Sequence, residues 1–123
     1  MTTKRLEKDV AELERRFGPS EVSEQFVAGE LFVVVHLHAV PIQLVVPIAT
    51  YPHEPPELKV QGRWVHPRIL GSRVIEVDAI NHWNPTLDLC APLEELRSAF
   101  EATPPVEPEG LLRKIRDALD KLT

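Results

Sequence analysis

Three features of the chain carry residue types that could do chemistry. His36 and His38 stand two apart in a run rich in Val and Leu. On a strand that spacing puts both imidazoles on one face, as some metal sites require. Zinc would need further carboxylate or His ligands converging from elsewhere. No Asp or Glu follows within seven residues, so the pair reads as polar side chains at a sheet surface or edge, with no metal or other cofactor implied. Cys90 is the only thiol, set between Leu89 and Ala91 with Asp88 two residues before it. A nucleophilic cysteine needs a cationic neighbourhood that lowers its pKa. Cys90 lacks one in sequence and reads as a buried structural residue. The third feature is a loop region that holds His66-Pro67 and Trp83-Asn84-Pro85. Gly-rich phosphate loops, serine nucleophile elbows and paired zinc ligands do not occur.

The elements around these residues follow from periodicity and punctuation. Leu6, Val10, Leu13 and Phe17 recur at helical spacing, predicting a helix over residues 3–17 that Gly18-Pro19 ends. Residues 21–48 read as three strands: Glu21 to Val27, Leu31 to His38 and Ile42 to Ile48. Turns at Ala28-Gly29 and Ala39-Val40-Pro41 join them. Strands joined by such short turns are antiparallel. Tyr51-Pro52-His53-Glu54-Pro55-Pro56 then forms a stiff crossover, because proline fixes φ and removes a donor. A fourth strand, Glu57 to Gln61, completes a meander. Residues 62–85 read as an extended loop with a short strand within Arg73–Val77. A helix follows within residues 86–103, with Leu93, Leu96 and Phe100 on one face. After the connector Thr103 to Pro108, the residues Leu111, Leu112, Ile115, Leu119 and Leu122 define a last helix.

Composition bounds the function. A chain of 123 residues suffices for one domain with a modest core. Net charge is −5, which gives no electrostatic footprint for nucleic acid. One cysteine excludes an intrachain disulfide and fits a reducing compartment. The longest apolar stretch is interrupted by His36, His38, Pro41 and Gln43, too soon for membrane insertion. The chain reads as soluble and cytoplasmic.

The succession of helix, antiparallel meander, Tyr51-Pro52-x-x-Pro55-Pro56, His66-Pro67, Trp83-x-Pro85 and helix resembles the ubiquitin-conjugating-enzyme fold over residues 4–105. The resemblance implies an α+β domain occupying residues 1–123, with an N-terminal helix, a four-stranded antiparallel meander and C-terminal helices. His66-Pro67 looks like the start of the family's HPN motif, with Arg68 in place of its asparagine. Ile75-Glu76-Val77-Asp78 looks like the segment that carries the catalytic cysteine, with Glu76 in place of the thiol. A carboxylate cannot carry a ubiquitin thioester. His66, Arg68 and Glu76 would then be a vestigial active site, and the chain resembles the catalytically inactive ubiquitin-conjugating-enzyme variants, the UEV class.

Within that class it looks most like the UEV domain of the ESCRT-I sorting subunit. This implies a function in ubiquitin recognition for protein sorting, with ubiquitin or a ubiquitin-like protein, and other ESCRT-I subunits, as partners. The ubiquitin-holding hairpin of that domain corresponds to a shorter one at Phe26, Val27 and Ala28. Its strand tryptophan corresponds to Val46, and a further phenylalanine to Lys59. The apolar row Ile42, Leu44 and Val46 would be the docking surface, exposed because few helices remain to cover two sheet faces. Coverage of the row by the last helix or by a dimer partner is the alternative. An RWD-type scaffold and a transferase using Cys90 are the rival functions.

Overall fold

The computed structural model describes residues 2–19, 21–25, 29–71 and 73–122. The chain opens with α1, Thr2–Phe17. Leu6 and Leu13 are buried, with Val10 and Phe17 packed beside them, so one stripe of the helix faces the core. On the wet side Glu12 accepts from Arg15 and Arg16. These two guanidiniums hold its carboxyl down at about 2. Gly18, at φ +89°, donates to the Glu14 carbonyl at 2.9 Å and ends the helix.

Five strands follow, β1 Glu21–Gln25, β2 Glu30–Leu37, β3 Val40–Pro47, β4 Glu57–Val60 and β5 Val74–Ile75. They form one antiparallel sheet whose order is that of the chain. The first four are the expected meander, and β5 is the short strand expected within 73–77. The β2–β3 turn falls two residues earlier than the proline suggested. Leu37 pairs with Val40, and His38 and Ala39 make the turn at φ +51° and +64°. Two positive φ angles give the primed turn whose twist matches paired strands. His38 therefore sits at a hairpin tip, not beside His36 on a strand.

The two faces of the sheet differ sharply. Val33, Val35, Leu37, Ile42, Leu44, Val46, Leu58 and Val60 all point inward and are buried. They share one core with Leu6 and Leu13 of α1 and with Leu93, Leu96 and Phe100 of α3, Cys90–Ala102. The apolar row Ile42, Leu44 and Val46 is thus core. The expectation that it is exposed is corrected, because α1 and α3 suffice to cover this face.

A short helix, α2 (Asp78–Asn81), was not legible in sequence. Glu95 of α3 makes it possible: its two carboxylate oxygens accept from the amides of Asp78 and Ala79 at 2.7 and 2.9 Å. Asp88 does the same for α3, accepting from Cys90 and Ala91. The proline connector is pinned by a bridge between Val65 and Val106. It leads to α4, Pro108–Leu122. This helix does not cover the sheet. Its apolar residues Leu112, Ile115, Leu119 and Leu122 are 60%, 49%, 58% and 83% exposed. Among the described residues no helix is long and apolar enough to cross a membrane.

Candidate functional site

His66, Arg68 and Glu76 are brought together by the loop that leads into β5 and α2. The amide of Glu76 donates to the Arg68 carbonyl at 2.8 Å, and the Arg68 amide donates to His66 Nδ1 at 3.0 Å. With Nδ1 accepting, His66 carries its proton on Nε2, 3.4 Å from the Ala99 carbonyl. Its ring meets Phe100 edge-on at 4.8 Å and is 7% exposed. The imidazole is therefore a strut between loop and α3. It does not point at Glu76.

Glu76 is exposed, and its nearest polar partner is the Asn81 amide at 3.4 Å. The Arg68 guanidinium lies 3.5 Å from Glu95, the carboxylate that caps α2. The loop over residues 68–76 thus holds a carboxylate and an ion-paired arginine, with a side-chain amide beside the carboxylate. Glu95 was missed in sequence; its only signal was an acid three residues after Pro92 on a helix.

The chain's only thiol is closed off. Cys90 is fully buried at the start of α3. Burial, followed by the Asp88 charge, pushes its thiol up to about 11. His36 and His38 are both exposed, on different structural elements. Among the described residues no cluster of three His, Cys, Asp or Glu converges.

The residues expected to dock a partner divide between the two faces. Gln43 pairs with Lys59 and Leu44 with Leu58. Lys59 therefore shares the outer face with Gln43 and Val45, while Val46 points the other way. Val46 and Lys59 cannot contribute to one surface. The outer face carries Phe32 directly opposite Val45, then Val34 opposite Gln43, with Lys59 beside it. Val34 and Val45 are nearly buried yet lie outside the main core cluster. The parity of β3 did not mark this surface, since Val45 and Val46 are both apolar; the pairing of Gln43 with Lys59 does. Phe26, Val27 and Ala28 lie outside the described residues.

The motif Tyr51-Pro52 positions the loop rather than a ligand. Tyr51 is fully buried, and its hydroxyl donates to Asp9 of α1 at 2.5 Å. Arg5 Nε donates to the same oxygen at 2.9 Å, and its other end reaches the Leu87 carbonyl at 2.8 Å. Burial first, then the Asp9 carboxylate, raises the phenol above its ordinary range. Trp83 is half-buried, tilted against Tyr51 at 6.1 Å, and its indole N–H donates to the Pro52 carbonyl at 2.7 Å. Three distant segments are thereby tied to the proline crossover. No protein-family model matches the chain, and no curated protein matches it either.

Proposed function

We propose that this chain is a catalytically silent domain of the UEV kind that recognises ubiquitin or a ubiquitin-like protein without covalent chemistry. One observation carries the reading: the nucleophile position is an exposed carboxylate, Glu76, while the chain's only thiol is buried with its pKa raised. Attack by a carboxylate would give a mixed anhydride, which water destroys, where the conjugating reaction needs a stable thioester. What remains is a scaffold with one sheet face covered by helices and a second on which Phe32, Gln43 and Lys59 are partly exposed.

The docking surface belongs to that outer face. Phe32 supplies its partly exposed apolar centre over the buried Val34 and Val45, and Gln43 and Lys59 a polar margin. Ubiquitin presents an apolar patch with a basic rim, and a net charge of −5 favours encounter with it.

Titration with ubiquitin, followed by NMR, tests the reading. Amide shifts should concentrate in β2, β3 and β4, and Phe32→Ser should weaken binding about tenfold, the loss of one central contact. A titration that leaves every resonance in place sinks the proposal. Incubation with activating enzyme, ATP and ubiquitin should leave no adduct that a reductant removes; such an adduct would refute catalytic silence.

A further inference from the structure

Beyond the sheet, the loop from β4 to β5 encloses a groove of about 510 Å³, within the range of ligand sites. Arg63, Trp64, Val65, Leu70 and Arg73 are among the residues that line it. Val65 and Leu70 are 47% and 44% exposed, the two large apolar residues most open to water outside α4 among the described residues. No Asp or Glu among the described residues lines this groove. Such a basic recess stands out on a chain with 19 acidic and 14 basic residues.

Among the described residues, the side chains of Arg63, Trp64 and Arg73 have no polar partner. Arg5, Arg15, Arg16, Arg68 and Arg97 all hold carboxylates. Arg63 and Arg73 hold none among the described residues. The two tryptophans differ in the same way. Trp83 donates its indole N–H to a carbonyl, whereas the Trp64 N–H has no acceptor among the described residues. Its Nε1 lies beside Gly62, 3.5 Å from where a Cβ would stand. A Cβ there would make only an ordinary contact; the φ of +87° at Gly62 is what favours glycine. Arg73 has φ +66°, the left-handed region that disfavours a side chain. Two backbone bonds fix it, from its amide to Leu70 and from the Val60 amide to its carbonyl.

We propose that this groove binds an acidic segment of a partner protein, with carboxylates on Arg63 and Arg73 and an apolar residue against Trp64, Val65 and Leu70. Guanidinium groups favour carboxylate by forked, charge-assisted hydrogen bonds. Glu107 and Glu109 line the adjoining recess toward α4, which shares Arg63 and Trp64 with the groove. They repel an acidic segment on that side and direct it toward Arg73. The site shares no residue with the outer sheet face and does not depend on what that face binds.

The test uses three synthetic peptides: glutamate-rich with one leucine, the same with lysine for glutamate, and glutamate alone. The chain has only two tryptophans, so their indole N–H resonances report directly. The first peptide should move the Trp64 indole signal and leave that of Trp83 in place. Its affinity should fall as salt rises. Glutamate alone should bind more weakly, and the lysine peptide should not bind. Arg73→Gly removes the cation while relieving the positive φ, and an unmoved Trp83 indole signal in the variant shows that the fold is kept. Combined with Arg63→Gln, it should weaken the first peptide about tenfold or more. Equal binding of the lysine peptide, an unmoved Trp64 signal, or undiminished affinity in Arg73→Gly with Arg63→Gln would each overturn the proposal.

Discussion

Asp9 is 4% exposed, and its charge is made tolerable by two donors on a single oxygen, Arg5 and Tyr51. Tyr51→Phe keeps the ring and removes one of them. The expected cost is about 1.5–3 kcal/mol, the range for a hydrogen bond to a charged group, read as a lower midpoint in urea. A midpoint that does not move would show that Arg5 alone satisfies the carboxylate. Cys90 makes a second prediction. Burial raises its thiol, so the folded state favours the neutral form. That stabilisation is complete below the unfolded thiol's range and disappears as pH rises through roughly 9 to 11. Cys90→Ala should flatten this part of the alkaline stability loss and leave the part that belongs to Tyr51. In the native protein a thiol reagent should react only at the rate of opening; immediate stoichiometric reaction would contradict the burial.

Among the elements, long periodic segments were legible and face assignments were not. The spacing of Leu6, Val10, Leu13 and Phe17 marked α1 to within a residue of Thr2–Phe17. The strands, too, lie within two residues of their expected starts. Alternation failed on β3 because Val45 and Val46 are both apolar, so neither parity announced itself as wet. Pairing with β4 resolved what one strand could not. Val46→Asp should therefore unfold the domain, since it places an unpaired charge in the core. Lys59→Glu, on the outer face, should shift stability by no more than about 0.5 kcal/mol. Comparable melting of the two variants would restore the exposed row. The short α2 was illegible because its cap, Glu95, lies 16 and 17 residues away from the amides it serves. Helix α4 stands at the opposite extreme, periodic in sequence yet bare in the fold. Fifteen residues are marginal for a helix in water. Its amides should exchange with solvent long before those of α3. Equal protection of both would mean that something covers α4.

At the scale of the whole molecule, the resemblance that organised the sequence rests on residues with structural duties. Tyr51 and Trp83 hold the proline crossover, and His66 braces a loop against α3. Residues that hold a scaffold together are visible in one sequence because their types are distinctive. Surfaces that meet a partner are assembled across strands and loops, as Phe32 with Val45 or Arg63 with Arg73, and no spacing in the chain announces them. The shared lid of the sheet also has a consequence in time. The inner face is closed by α1, which precedes the strands, and by α3, which follows β3 by more than forty residues. A ribosome adding about 5–20 residues per second leaves that face half-covered for several seconds. Chains stalled with Asn81 just emerged should be cut by thermolysin within β2 and β3, and chains stalled after Lys121 should resist; equal resistance would mean that α1 alone seals the sheet. During synthesis, then, the most apolar surface of the protein is a transient client for chaperones, and its protection arrives only with Leu93, Leu96 and Phe100.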